Sequence, residues 1–115
     1  MDIGEMYLCK EDEIEELTTK QFEYQFLGEI RHGFLIKSQG KLFAYENHCP
    51  HTGVELNWQE NRFLNYDNTS IQCATHGAQF KISDGICIWG PCLGQYLKKI
   101  PLKMNSSRVY LDLIQ

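Results

Sequence analysis

Short runs of apolar residues that alternate with polar residues recur along most of the chain, and turn-forming residues bound each run. Phe22, Tyr24 and Phe26, for example, alternate with Glu23 and Gln25, which is the period of a strand with one buried face. Such runs predict strands at 6–9, 22–26, 34–37, 41–45, 71–73, 79–81, 86–88, 97–103 and 109–113. The pattern therefore predicts an all-β protein.

The predicted strands are longest near the two ends of the chain, and a Gly-, Asn- and His-rich region lies between them at about 47–94. This arrangement predicts an antiparallel β-sandwich base that carries a smaller inserted subdomain at about 46–92. At 115 residues the chain has the length of one domain, so we expect a single domain over 1–115.

Composition and charge narrow the function classes. The net charge is −4, from 11 basic and 15 acidic residues, and no basic stripe is present, which argues against nucleic-acid binding. Apolar runs are only a few residues long and the first residues lack the pattern of a signal peptide, so we expect a cytoplasmic protein without membrane contact. The acidic run 10–16 is either a solvated turn or short helix, or a docking patch for a basic partner.

Two segments of the middle region combine cysteine with histidine: His48-Cys49-Pro50-His51-Thr52-Gly53 and Cys73-Ala74-Thr75-His76-Gly77-Ala78. An odd total of five cysteines without a leader indicates metal binding or catalysis rather than disulfides. Two thiolates and two imidazoles suit either zinc or an iron–sulfur cluster. The C-x-H spacing is shorter than the usual chelating pairs of structural zinc sites, and paired C-x-H and C-x-x-H motifs are the form found in Rieske centres.

On these residues the chain resembles a Rieske-type [2Fe-2S] ferredoxin. A third segment, Gly85-Ile86-Cys87-Ile88-Trp89-Gly90-Pro91-Cys92, is similar to the glycine–proline loop of that family. The resemblance implies a Rieske-like β-sandwich base and one [2Fe-2S] cluster. Cys49 and Cys73 would ligate one iron, His51 and His76 the other, and Gly90 and Pro91 would lie in the loop that covers the cluster.

Three departures from the family pattern are visible. The two ligand motifs are 21 residues apart (52–72), which predicts a longer loop or hairpin at 58–68. Val54 and Thr75 stand where high-potential Rieske proteins have a disulfide, and Ala78 stands where they have a serine. Both replacements resemble the low-potential, soluble, single-domain members of the family.

The remaining cysteines and histidines have weaker signals. Cys87 and Cys92 are either small buried thiols near the cluster or a redox-active pair. Cys9 lies in a predicted strand and is expected in the core. His48 adjoins a ligand but would point to the opposite face of an extended segment, and His32 precedes a glycine and is expected in a turn.

The resemblance implies an electron-transfer protein rather than an enzyme. We expect a one-electron carrier between a flavin- or NAD(P)H-dependent reductase and a terminal oxygenase or similar acceptor, with redox proteins as its partners. The alternatives are a tightly bound small subunit of an oxidoreductase such as nitrite reductase, and a structural module that has kept the fold.

Overall fold

The structure is a computed structural model that describes residues 5–48, 50, 56, 63–73 and 77–113. Its elements are β1 (Glu5–Lys10), a 3-10 helix (Glu11–Glu13), β2 (Thr19–Phe26), β3 (Glu29–Ser38), β4 (Lys41–Glu46), β5 (Ile71–Gln72), β6 (Gln79–Phe80), β7 (Cys87–Trp89), β8 (Leu102–Asn105) and β9 (Arg108–Asp112). No helix in the described part of the chain combines the length and the apolar composition that crossing a bilayer requires.

The strands form three antiparallel sheets of three strands each, with the orders β1-β9-β8, β2-β3-β4 and β5-β6-β7. The all-β prediction is confirmed. The acidic run contains the one short 3-10 helix of the described residues, and its side chains are mostly exposed. The single-domain limits 1–115 and the subdomain limits 46–92 stay predictions.

The centre of the middle sheet, β2-β3-β4, is covered on both faces, which explains why β3 contains a run of consecutive buried residues. Leu35 and Ala44 pack with residues of the β1-β9-β8 sheet in one hydrophobic core. Phe34, Ile36 and Tyr45, which alternate with them, pack into a second core under the β5-β6-β7 sheet. The molecule is therefore layered, and the third sheet rests on a rigid support.

Tight two-residue turns connect the long hairpins. Leu27-Gly28 joins β2 to β3, Gln39-Gly40 joins β3 to β4, and Ser106-Ser107 joins β8 to β9. Both residues of each turn have positive φ, as hairpin turns with the right-handed twist require. Glycine reaches this region without strain, whereas Ser107, at φ 64°, does not.

Two sequence predictions are wrong. His32 lies within β3, paired with Glu23, rather than in a turn. The predicted strand 97–103 is regular only from Leu102, because the segment before it passes between two sheets and makes only single bridges, Tyr96 to Ile86 and Lys99 to Tyr45. Residues 58–62 of the expected longer loop at 58–68 lie outside the described part, but Leu64 pairs with Ile71, so the second half of the loop is hairpin-like.

Candidate metal centre

Cys73 directly follows β5 and is completely buried. Its carbonyl accepts a hydrogen bond from the Gly77 amide at 2.8 Å, and its own amide donates to the Ala78 carbonyl at 2.8 Å. Gly77 has φ 71°, a left-handed conformation that most residues adopt only with strain. These bonds join the two ends of the segment 73–78. The predicted ligand His76 belongs to this segment and lies outside the described residues.

The segment with the other two predicted ligands is closed by Asn47, which follows β4. The buried Asn47 side chain accepts a hydrogen bond from the Leu56 amide through Oδ1 at 2.7 Å. The backbone N–H of Asn47 donates to the His32 carbonyl at 2.9 Å. Cys49 and His51 lie between these two ends, outside the described residues. The exposed His48 immediately precedes Cys49.

Asn47 is a positioning residue that the sequence analysis did not single out. The sequence position of Asn47 could have indicated this role, because a polar residue directly after an apolar strand and before a Cys-His motif is well placed to hydrogen-bond the loop that follows. Its partner, nine residues further along, was not predictable from the pattern.

The predicted glycine–proline loop packs against the Cys73 segment. A Cβ built on Gly90 would lie 2.8 Å from the Ala78 Cα, so only glycine allows the two backbones to approach this closely. A Cβ on Gly77 would be 3.6 Å from the Trp89 ring. The loop is closed by hydrogen bonds from the Cys87 amide to the Gln95 carbonyl (2.7 Å) and from the Gln95 amide to the Cys92 carbonyl (2.8 Å).

Cys87 and Cys92 flank this loop, and both side chains are buried. The Cys92 thiol donates to the Cys87 sulfur with a Sγ–Sγ distance of 3.0 Å, and the Cys87 thiol donates to the Trp89 carbonyl at 3.3 Å. Their burial is as expected, and it leaves both alternatives, packing thiols or a redox-active pair, open. Cys9 is also buried, in the core between the first two sheets, as expected, and burial raises the pKa of its thiol.

Tyr45 connects the middle sheet to the sheet that carries the candidate centre. Its ring is fully buried, and its hydroxyl donates to the Ile82 carbonyl at 2.6 Å. Loss of solvation raises the pKa of the Tyr45 phenol, and the nearby Asp84 carboxylate raises that pKa further. The group therefore stays neutral, and it acts as a hydrogen-bond donor that fixes the turn before β7.

Charged side chains cluster where β4 ends and the first ligand segment begins. The Glu46 carboxylate lies 3.6 Å from the Arg31 guanidinium and 3.5 Å from the Lys98 ammonium, so one acid is shared by two bases. The Glu46 side chain is largely shielded from solvent, whereas the Lys98 side chain is mostly exposed. Because the Lys98 side chain is mostly exposed, its pair with Glu46 contributes little to the stability of the fold.

The described residues fit a compact cluster beside Cys73. Cys73 is hydrogen-bonded through its backbone to Gly77 and Ala78, and Gly90 approaches Ala78 closely, so the residues that border this segment are small. Two cysteines and two histidines supply the donors of a [2Fe-2S] cluster with mixed ligation. Cys73 is the one predicted ligand among the described residues, where no three Cys, His, Asp or Glu side chains converge on one point. The assignment of Cys49, His51, Cys73 and His76 as ligands stays a prediction.

Exposed apolar side chains surround the covering loop. Trp89 is 61% and Leu93 67% exposed, and Ile88 and Tyr96 are about half exposed. Large apolar residues grouped on a surface are typical of sites that contact another protein. Pro91 at the tip of the loop is exposed as well.

Structural neighbours share the fold. The ferredoxin of carbazole 1,9a-dioxygenase from Nocardioides aromaticivorans IC177 aligns with a TM-score of 0.69 and 13% identity, over 95% of this chain and 97% of that chain. The terminal oxygenase of carbazole 1,9a-dioxygenase from Novosphingobium sp. KA1 aligns with a TM-score of 0.72 and 21% identity, over 96% of this chain and 30% of that chain.

A third neighbour is the reduced complex between oxygenase and ferredoxin in carbazole 1,9a-dioxygenase, with a TM-score of 0.72, 21% identity and coverage of 96% of this chain. The present chain spans only 28% of the matched chain in that complex. At these identities the likeness shows the fold alone. No curated protein matches the chain by sequence.

The sequence profile of the Rieske [2Fe-2S] domain matches residues 4–104, which is most of the chain. The match includes both Cys-His motifs, the glycine–proline loop and the strands from β1 to β7. The chain therefore belongs to the Rieske [2Fe-2S] domain family, and its cofactor is one Rieske-type [2Fe-2S] cluster.

Proposed function

We propose that the protein is a cytoplasmic, Rieske-type ferredoxin, a one-electron carrier without catalytic activity of its own. The observation that carries the proposal is the match of its fold to a ferredoxin along almost the full length of both chains, together with the family assignment. The donor is a flavin- or NAD(P)H-dependent reductase, and the acceptor is a terminal oxygenase or a similar redox protein.

The ligands of the cluster are Cys49 and Cys73 on one iron, and His51 and His76 on the other. When bound, the cluster accepts and releases one electron. The chain's own contribution is to hold the ligands with little freedom to move, since Asn47 closes the first ligand segment and the Gly77 amide closes the second. The small residues Ala78 and Gly90 then bring the covering loop against the second segment.

The apolar side chains around the covering loop support a role in protein contact. Trp89 and Leu93 lie on that loop and are mostly exposed, so a partner that docks there would bury them beside the Cys73 segment. An electron carrier must release its partner again, and a small apolar patch with a polar surround suits a transient complex.

Single replacements of the four ligands test the site. Alanine at Cys49, His51, Cys73 or His76 should abolish the iron and acid-labile sulfide of the purified protein, because each change removes a ligand. The matched controls, Cys9→Ser, His32→Ala and His48→Ala, should keep both. A variant at a proposed ligand that retains the full cluster, or stoichiometric zinc without sulfide in the unchanged protein, would refute the assignment.

Reduction by a separate protein tests the carrier role. A flavin- or NAD(P)H-dependent reductase should reduce the cluster with multiple turnovers, and the ferredoxin should migrate alone in size-exclusion chromatography at low micromolar concentration. The alternative, a tightly bound subunit of an oxidoreductase such as nitrite reductase, predicts co-purification with a large subunit at that concentration. Replacing the exposed Trp89 by Ser should slow electron transfer while leaving the visible spectrum of the cluster unchanged.

A further inference from the structure

Two cysteines that are not proposed cluster ligands lie side by side in the structure. The Cys87 and Cys92 sulfur atoms are 3.0 Å apart, whereas a disulfide bond is about 2.04 Å long. A displacement of about 1 Å would bring the two atoms to bonding distance. This proximity is built into the fold, because Cys87 lies in β7 and the hydrogen bond from the Gln95 amide to the Cys92 carbonyl holds the return of the loop.

The pair closes the loop that packs on the Cys73 segment. Gly90 lies between the two cysteines and makes the close approach to Ala78. Both sulfur atoms belong to the same hydrophobic core as Cys73 and Ala78. A covalent bond between Cys87 and Cys92 would therefore fix the covering loop against the segment that holds the cluster.

We propose that Cys87 and Cys92 are a reversible thiol–disulfide site that staples the covering loop. The oxidant is a low-molecular-weight disulfide such as oxidised glutathione. One cysteine thiolate attacks that disulfide, forms a mixed disulfide with one glutathione and releases the other as a thiol. The second cysteine then attacks the mixed disulfide and releases the bound glutathione as a thiol. In sum, the two cysteines lose two electrons and two protons and form one S–S bond, while the glutathione disulfide is reduced to two thiols.

Positions Val54 and Thr75 lack the cysteines that form the disulfide of high-potential Rieske proteins. The proposed bond differs from that disulfide, since it lies entirely within the third loop and joins residues separated by four positions. The proposed Cys87–Cys92 bond depends neither on the identity of the redox partners nor on the electron-carrier role.

Tryptic mapping of the intact, cluster-containing protein tests the site. Cleavage after Lys81 and Lys98 places both cysteines in one peptide, 82–98, whereas Cys9, Cys49 and Cys73 fall in three other peptides. The protein is equilibrated with mixtures of oxidised and reduced glutathione, denatured in excess alkylating reagent and digested. With oxidised glutathione in excess, peptide 82–98 should carry no alkyl group and be lighter than the dithiol form by two hydrogen atoms. Reduced glutathione should reverse the change.

The Cys9 peptide is the internal control, because Cys9 is equally buried and no other described cysteine lies in the same core. It should be alkylated in every mixture. The proposal is overturned if peptide 82–98 remains doubly alkylated in every mixture, or if it carries glutathione in place of an internal bond. This readout needs no variant, so it stands even if a cysteine replacement impairs folding.

The stapling role has its own test. Oxidation of the pair should slow loss of the cluster to an iron chelator by about fivefold or more, because a closed loop has fewer open conformations. Cys87→Ser and Cys92→Ser should lose this dependence on glutathione, whereas Cys9→Ser should keep it. Equal rates of cluster loss for the oxidised and reduced protein would overturn the stapling role.

Discussion

Gly90→Ala should destabilise the protein far more than Gly94→Ala, although both glycines lie in the same loop and both have positive φ (109° and 88°). An alanine at either position adopts an unfavourable backbone conformation, at a cost of about 1–2 kcal/mol. At Gly90 the new Cβ would also lie 2.8 Å from the Ala78 Cα and 3.0 Å from its Cβ, whereas nothing lies within 4 Å of a Cβ at Gly94. Overpacking of this kind costs about 1–3 kcal/mol, which is the expected difference between the variants.

Thermal unfolding of the cluster-containing proteins, followed by circular dichroism and by visible absorbance, measures this difference. For a domain of this size, a shift of about 4 °C per kcal/mol is expected. Gly90→Ala should therefore melt about 4–12 °C below Gly94→Ala. It should also lose its cluster faster to a chelator, since the covering loop can no longer rest on Ala78.

The clash itself can be tested by a second change. Adding Ala78→Gly to Gly90→Ala removes the contact at 3.0 Å but leaves the one at 2.8 Å to the backbone, so recovery should be partial. Equal melting temperatures for Gly90→Ala and Gly94→Ala would refute the reasoning, because they would show that the contact of the new Cβ with Ala78 costs no stability. Full recovery by Ala78→Gly would show that the backbone contact is unimportant.

Three further outcomes are expected. Tyr45→Phe should lower the free energy of unfolding by about 1–3 kcal/mol near neutral pH, because the buried Ile82 carbonyl loses its donor. Burial raises the pKa of the Tyr45 phenol in the folded protein. The stabilising effect of the neutral hydroxyl is therefore present below the unfolded pKa of about 10 and is lost as the pH rises through the folded value. Denaturation at alkaline pH should accordingly show a smaller difference in the free energy of unfolding between Tyr45→Phe and the unchanged protein. Asn47→Ala should lose the cluster faster to a chelator than Asn47→Asp, which keeps an acceptor for the Leu56 amide; equal rates would count against the role of this bond. Ser107→Gly should raise the free energy of unfolding measured in urea by about 0.5–1 kcal/mol, because serine at φ 64° is strained; a decrease would contradict this explanation.

Most strands were predictable because their patterns and turns are local. The alternation around Tyr24 and the turn between the predicted strands 34–37 and 41–45 each depend on a few adjacent residues; the alternation is present as predicted, and Gln39-Gly40 forms the turn. The predicted strand at 97–103 failed because its apolar residues face two different sheets in turn. Ile86 bridges Tyr96, just before the predicted strand, Tyr45 bridges Lys99 within it, and Pro101 lacks the amide that a continuous ladder needs.

The candidate site was likewise predictable only in part. The Cys-His motifs could be recognised because residue types and their short spacing are read directly from the sequence. The close approach of Gly90 to Ala78, the thiol pair and the bond from the Leu56 amide to Asn47 depend on how separate loops fold against one another. Such contacts follow from packing in three dimensions, which periodicity along one strand does not encode.

The two-sided core of the middle sheet explains how short strands can hold a precise site. β5, β6 and β7 have only two or three residues each, too few for a stable sheet alone. Phe80 and Cys87 from this sheet pack in one core with Phe34 and Tyr45 of the middle sheet, whose opposite face is covered by β1-β9-β8. Because Leu35 and Ala44 anchor that opposite face, movement of the middle sheet would disrupt both cores at once. The packing support of the β5-β6-β7 sheet therefore originates in long strands distant from the ligand motifs.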